Sequence, residues 1–192
     1  MADRTTRILT GIAVAMVIAF VGWAVYEKFF AGSAPGDLEY FAGNTLFEDG
    51  FYERAAKEYR AALAENPDHI FALRGLARSL HMLGKHEEAL ALYDQAIAQE
   101  PDFGATYANR GILLDTMGRH EEALADYERA LELDPELAEG PHWLTRFLRN
   151  QPEPPPTIAD RARYLRAELA KPESERVLRI PELDAKQRPY KQ

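Results

Sequence analysis

The chain of 192 residues contains no cysteine. This absence excludes disulfide bonds, iron–sulfur ligation by thiolates, covalent haem attachment and a lipid anchor on a thiol. The chain also lacks a surplus of positive charge. Its formal net charge is −8, and no basic patch with interleaved aromatic residues occurs in its body. This composition argues against nucleic acid as a partner.

Metal-binding and catalytic motifs are missing as well. His86 and His120 each precede a glutamate, but a zinc-binding helix of this kind needs a second histidine four residues further on. Those two positions hold Leu90 and Leu124. We find no nucleophile–base pair at usable spacing and no phosphate-binding loop, so the sequence predicts no catalysis, cofactor, metal or small-molecule substrate.

The first long feature is an uncharged run, ILTGIAVAMVIAFVGWAVY, from Ile8 to Tyr26. As a helix it spans about 28 Å, which is close to the hydrocarbon thickness of a bilayer. A cleaved signal peptide is the alternative, since AGSA at 31–34 resembles a cleavage site. The length of the run and the charged pair that follows it favour a retained transmembrane anchor over residues 8–30, followed by a linker at 31–36.

Charges beside this run predict its orientation. Arg4 and Arg7 precede it, whereas Lys28 follows it closely beside an acidic residue. The positive-inside rule then predicts a cytoplasmic segment at 1–7 and an exported remainder, that is, a single-pass inner (cytoplasmic) membrane protein with a periplasmic or extracytoplasmic domain. Small residues recur along one helix face and predict close packing against another transmembrane helix. They are Gly11, Ala15, Ala19 and Gly22.

The body of the chain repeats itself. GKHEEALALYDQAI, from Gly84, returns 34 residues later as GRHEEALADYERAL, from Gly118. Extending the alignment gives sets of three residues at the same interval, which we interpret as two helices per unit with glycine at the turn and proline after the second helix. The sets are Gly43, Ala77 and Gly111; Leu46, Leu80 and Leu114; Gly50, Gly84 and Gly118; Ala55, Ala89 and Ala123; Tyr59, Tyr93 and Tyr127; Ala62, Ala96 and Ala130; and Pro67, Pro101 and Pro135.

This pattern resembles the tetratricopeptide repeat (TPR) family, in an N-terminally membrane-anchored form. The resemblance covers residues 37–135 and implies an all-α fold with three helix-turn-helix units, at about 37–69, 70–103 and 104–137. A repeat array needs a cap on its last exposed face. The amphipathic stretch at 138–150, which contains Trp143 and Phe147, is the predicted capping helix.

By the same resemblance, the first helices of the units line a concave groove that binds partners. Asn44 matches one position of the carboxylate clamp found in chaperone-binding members, but Tyr40, Ala105 and Asn109 stand where the clamp has lysine or arginine. The lining therefore favours an extended peptide, held by aromatic stacking and arginine–carboxylate contacts. The predicted groove residues are Tyr40, Phe41, Asn44, Phe47, Phe71, Arg74, Arg78, His81, Asn109, Ile112 and Asp115.

A proline-rich spacer at 151–156 separates the repeats from a second helical stretch at 157–171, for which Thr157 is the expected N-cap. Residues 172–192 show no helical or strand periodicity and are expected to form an extended tail. Either the chain's own groove or a neighbouring subunit would hold this tail, and we favour a neighbour. The expected contact residues are Arg179, Lys186, Arg188, Tyr190 and Lys191.

Charge is distributed unevenly, with a net of −11 over 37–135 and of +2 from 136 onward. This is either a solubilising surface or two surfaces addressed to different partners. Together these features predict a non-catalytic protein-binding scaffold, an accessory or assembly subunit of a respiratory, photosynthetic, secretory or biosynthetic membrane complex, with lipid contacting its anchor. The alternative is a transient client-binding targeting, maturation or quality-control factor beside a translocon or cytochrome-maturation machinery.

Overall fold

The computed structural model describes residues 4–27, 34–139 and 156–179. Within these ranges the chain forms eight α-helices and two short 3-10 helices and no strand, which confirms the predicted all-α fold. The α-helices are α1 (Arg4–Tyr26), α2 (Asp37–Glu48), α3 (Tyr52–Glu65), α4 (Ile70–Met82), α5 (His86–Gln99), α6 (Gly104–Thr116), α7 (His120–Leu133) and α8 (Ile158–Leu169). The 3-10 helices are Pro135–Ala138 and Glu173–Glu175.

Helix α1 is the predicted apolar helix. Its window Leu9–Tyr26 has a mean hydropathy of 2.1, and none of that window is buried against the rest of the chain. The helix is therefore long and apolar enough to cross a membrane. A secretory signal sequence has the same length and composition, so retention and orientation of the helix stay predictions.

Helices α2 to α7 form three antiparallel pairs, and each pair turns at the glycine that the repeat predicts. Gly50, Gly84 and Gly118 have φ angles of 82°, 74° and 79°, in the left-handed region. The residue after each glycine donates its N–H to a carbonyl in the last turn of the preceding helix, for example Phe51 to Leu46 at 2.8 Å. This bond satisfies a carbonyl that the helix end would otherwise leave unpaired.

The recurring tyrosines fill the space between the pairs. Tyr59, Tyr93 and Tyr127 are fully buried. Tyr59 lies against glycines of two units, because a methyl group added at Gly43 would lie 2.7 Å from its ring and one added at Gly75 would lie 2.5 Å from it. Glycine at these places lets two helices approach a large ring at once, which links the first unit to the second.

Helix α8 covers the last repeat. It begins with a reciprocal capping box between Thr157 and Asp160, as the sequence predicts for an N-cap at Thr157. Ile158 and Leu165 are buried and belong to the same apolar cluster as Tyr127. Helix α8 therefore shields the end of the array. The capping helix predicted at 138–150 lies outside the described residues from position 140 onward.

The Tyr59 contact predicts the effect of enlarging a glycine. We expect Gly75→Val to lower the free energy of unfolding by about 1–3 kcal/mol, because the added methyl groups overlap the Tyr59 ring. Urea unfolding of the full chain in mild detergent, followed by circular dichroism, measures this loss. The matched control is Ala98→Val on the exposed surface of α5, which changes helix propensity by about 0.6 kcal/mol without overpacking. Equal unfolding midpoints for both variants would contradict this packing.

Candidate protein-binding groove

The first helices of the three units, α2, α4 and α6, form one continuous layer, which we call the groove layer. Helix α2 contacts α4, and α4 contacts α6, while each also packs on the second helix of its own unit. The predicted groove residues lie on these three helices. Most of those on α2 are partly or largely exposed, whereas those on α6 are buried. The layer is therefore open at the first unit and closed at the third.

An aromatic patch, formed by Tyr40, Phe41 and Phe71, occupies the open end. The Tyr40 ring centroid lies 5.3 Å from that of Phe41 and 6.0 Å from that of Phe71. Phe41 is 58% exposed and Phe71 is 44% exposed. Aromatic side chains are enriched at protein–protein interfaces, where buried ones anchor the partner. The structure thus brings together three of the predicted groove residues.

Arg74 lies beside this patch and is fully buried. Its Nη2 donates to Glu100 Oε2 at 2.6 Å, and its guanidinium lies 4.0 Å from the centroid of the Phe103 ring. Its Nε and Nη1 have no hydrogen-bond partner within the described part of the chain. Because an unpaired buried donor costs about 1–3 kcal/mol, the bond to Glu100 and the Phe103 ring offset only part of the cost of burying this guanidinium.

Arg78 and Asn44 connect the groove layer to the core. The Arg78 guanidinium lies 4.9 Å from the centroid of the Phe47 ring, and Asn44 Oδ1 accepts a 2.7 Å hydrogen bond from the Tyr59 hydroxyl. Burial raises the pKa of Tyr59 to about 12, while the Arg78 charge opposes this shift. Asn44, the residue that matches the clamp, is thus engaged by the chain's own tyrosine.

The three predicted groove residues of α6 are all buried. Asn109 is 0%, Ile112 is 4% and Asp115 is 5% exposed. Asp115 receives two hydrogen bonds from Arg161 of α8, at 2.6 and 2.9 Å. It also lies 2.9 Å from His120 Nδ1. Because α8 pairs with Asp115, this carboxylate is part of the attachment of the C-terminal helix.

The start of the tail, residues 177–179, lies at the same end of the repeat array as α8. Val177 N–H donates to Glu168 of α8 at 2.8 Å, and the Leu178 carbonyl accepts from Arg161 at 2.8 Å. Arg179, a predicted tail contact, donates to the carbonyl of Thr116 at the end of α6. Residues 177 and 178 thus bond to α8, and Arg179 bonds to the third repeat. The other predicted tail contacts, Lys186, Arg188, Tyr190 and Lys191, lie outside the described residues.

The sequence analysis did not predict the ion-pair partners of Arg161 and Arg74. Arg161 is 46 residues from Asp115, and Glu100 is 26 residues from Arg74. The 34-residue repeat could not reveal these pairs, because none of the four residues recurs at that interval. Among the described residues, no group of three or more histidine, aspartate or glutamate side chains is arranged to hold a metal ion.

The stacked helix pairs and the groove layer define a helical-repeat protein. Residues 42–102 and 104–137 match two family models, each described as tetratricopeptide repeat. The chain therefore contains tetratricopeptide repeats within residues 42–137, as the sequence resemblance predicts. No curated protein sequence matches it significantly.

Solved structures of similar fold are TPR domains. The first TPR domain of Spaghetti (RPAP3), solved with the HSP90 peptide SRMEEVD, has a TM-score of 0.57 at 23% identity over 71% of this chain and 94% of that one. The first TPR domain of human RPAP3 has a TM-score of 0.51 at 26% identity, over 61% and 89%. YrrB, a TPR protein with an unusual peptide-binding site, has a TM-score of 0.50 at 22% identity, over 73% and 70%.

The Asp115–Arg161 pair predicts that replacing Arg161 with an uncharged residue greatly lowers the stability of the attachment of α8. We expect Arg161→Gln to cost about 3–5 kcal/mol, because it leaves the buried Asp115 carboxylate without its guanidinium. Hydrogen exchange of the α8 amides measures the loss as faster local opening. Arg163→Gln on the exposed face of the same helix is the control, with an expected change below about 0.5 kcal/mol. Unchanged exchange in α8 of the Arg161 variant would contradict its attachment through Asp115.

His81 predicts a dependence of stability on pH. Burial, and next the nearby His86, lower the pKa of His81 from 6.5 to about 4. The folded chain thus takes up the His81 proton less readily than the unfolded chain, so stability is lost as the pH falls from about 6.5 to 4, by on the order of 2–3 kcal/mol. Urea unfolding across this range should show a smaller loss for His81→Gln, whereas His86→Gln should keep most of it. Identical pH profiles for wild type and His81→Gln would exclude this contribution.

Proposed function

We propose that the chain is a membrane-anchored scaffold, an accessory or assembly subunit of a larger membrane protein complex. The TPR fold is a protein-interaction fold, and the repeats support a protein-binding role. The observation that carries the proposal is the aromatic patch of Tyr40, Phe41 and Phe71 at the open end of the groove layer, beside the buried Arg74. The exposed rings of this patch suit an extended partner segment that offers an apolar side chain.

The relatives support peptide binding in this fold. A similar TPR domain holds the HSP90 peptide SRMEEVD, and YrrB has a peptide-binding site. Peptide ends of that chaperone type are not the partner we propose here, since Tyr40, Ala105 and Asn109 replace three clamp residues. A partner segment passing along α2 and α4 fits the exposed side chains better.

The anchor adds a second contact in this proposal. Helix α1 would cross the inner membrane with its N-terminus in the cytoplasm and place the repeats in the periplasm. Among the described residues, nothing lies within 4 Å of a Cβ added at Gly11 or Gly22, so this face would have room for a partner helix. One chain would thus bind a complex both within the membrane and beside it.

Phe71 and Phe51 provide a matched test. Both are exposed, at 44% and 49%, but Phe71 belongs to the aromatic patch, whereas Phe51 lies at the turn between α2 and α3 under Arg54. We expect Phe71→Ala to reduce co-purified partner at least about tenfold, because buried aromatic anchors dominate interfaces. Phe51→Ala should leave it unchanged. The measurement is affinity purification of the full chain from native membranes in mild detergent, with quantitative mass spectrometry.

The composition of the co-purified material decides between the two roles. One complex at a constant ratio, lost in Phe71→Ala, supports a structural subunit. Many proteins at low ratios would contradict that role and would indicate a transient client-binding factor. Equal recovery from both phenylalanine variants would exclude the aromatic patch as the binding surface.

A further inference from the structure

The aromatic patch is supported by the buried side chain of His69. The centroid of the His69 ring lies 5.1 Å from that of Tyr40 and 6.3 Å from that of Phe71. Its Nδ1 accepts the Ala72 N–H at 3.2 Å, so the neutral ring carries its proton on Nε2 and donates it to Asp37 Oδ1 at 3.1 Å. These contacts hold the rings, and one carboxylate beside them, in place. A partner that binds the patch therefore costs it little side-chain freedom.

The accessible charges on the two helices that carry the patch are all negative at neutral pH. Helix α2 contains three acidic residues and no basic one. Helix α4 contains no lysine and no acidic residue, and its two arginines, Arg74 and Arg78, are buried. An approaching segment therefore meets negative charge on α2 and no accessible arginine or lysine on either helix.

Two of the α2 carboxylates lie on the same face of the helix as the exposed ring of Phe41. Asp37 precedes Phe41 by four residues and Glu48 follows it by seven, which are spacings that return to one helix face. At 1.5 Å per residue these positions lie about 6 Å and about 10 Å from Phe41 along the helix axis. The third acidic residue, Glu39, is two residues from Phe41 and does not share its face. The exposed ring is thus flanked by one carboxylate on each side.

This arrangement matches a segment with positive charge on both sides of an apolar side chain. Arginine and lysine pack an aliphatic stem on an aromatic ring while their charged heads reach a carboxylate. Single exposed ion pairs contribute little, so the apolar side chain would supply most of the affinity and the basic residues the selectivity. An extended segment advances about 3.3 Å per residue, which places the basic residues about two positions from the apolar one on one side and about three on the other.

We propose that the aromatic patch binds an extended partner segment in which an apolar residue on the patch is flanked by arginine or lysine residues that pair with Asp37 and Glu48. This inference rests on the proposed function, because it defines the chemistry of the partner at the same site. It differs from the arginine–carboxylate contacts expected from the sequence, in which the chain itself supplies the arginines. Here the partner supplies the cations, and α2 supplies the carboxylates. The net charge of −11 over 37–135 also attracts such a segment at long range.

A random library of nine-residue peptides displayed on phage tests this chemistry directly. Selection on the full chain in mild detergent, with counter-selection on its Phe71→Ala variant, should enrich one kind of peptide. Each enriched peptide should contain an apolar residue with lysine or arginine within about four positions on both sides. Enrichment of acidic peptides, or of apolar peptides without basic residues, would overturn the proposal, as would the absence of any enriched sequence.

Removal of charge from α2 tests which carboxylates make the contact. We expect the double variant Asp37→Asn, Glu48→Gln to bind the most enriched peptide, fluorescently labelled, at least about tenfold more weakly in anisotropy titrations. An asparagine at position 37 keeps an acceptor for His69, so the patch stays in place. The matched control, Glu39→Gln with Glu53→Gln, removes the same charge from another face of α2 and from α3, and should change the Kd less than about twofold. Equal losses in both double variants would overturn the pairing with Asp37 and Glu48.

Purification from native membranes separates failure of this inference from failure of the proposed function. If Phe71→Ala loses the co-purified partner while Asp37→Asn, Glu48→Gln keeps it, the basic partner chemistry is overturned and the scaffold role stands. If both variants lose it, both proposals are supported. Selection of the expected peptides without any co-purified native protein would support the chemistry of the patch and contradict the scaffold role.

Discussion

The contact between a buried tyrosine and glycines on two successive units is the constraint on which the stack depends. A two-helix unit cannot bury its own apolar face, so its stability comes from how closely the next unit approaches. The Tyr59 ring lies where a side chain at Gly43 or Gly75 would otherwise stand. This close approach places α4 against α2 as well as α3. The groove layer is therefore a direct consequence of the core packing.

The same requirement explains why the two ends of the array differ. The last unit still has an uncovered face, and α8 covers it with Ile158 and Leu165 while Arg161 neutralises Asp115. Because α8 covers that end, Asp115 of α6 is buried and is no longer accessible to a partner. At the other end Phe41 keeps 58% of its surface exposed. The exposed aromatic side chains of the groove layer therefore lie in the first two units.

Local patterns in the sequence were sufficient to predict the helices and their turns. They were insufficient to predict which charged side chains pair with each other. The 34-residue period predicted the turns at Gly50, Gly84 and Gly118, because a left-handed turn residue is needed wherever two helices reverse direction so tightly. Thr157 predicted the start of α8 through local capping chemistry. Arg74 and Arg161 instead depend on residues far along the chain, at loop and helix positions that the repeat leaves variable. The third-unit groove residues were predicted from register alone, which carries no information about what later covers them.

Long-range and short-range electrostatic interactions have opposite effects on an acidic segment that approaches the groove. The repeat region has a net charge of −11, so at long range it repels an acidic segment. At short range the charged residues of α4 are two arginines, of which Arg74 is buried and paired with Glu100. An acidic segment therefore binds well only if something else brings it close. If α1 anchors the chain as we propose, insertion in the same membrane does so for a partner. For an anchored chain, this charge distribution would favour acidic partner segments that share its membrane over acidic peptides that arrive free from solution.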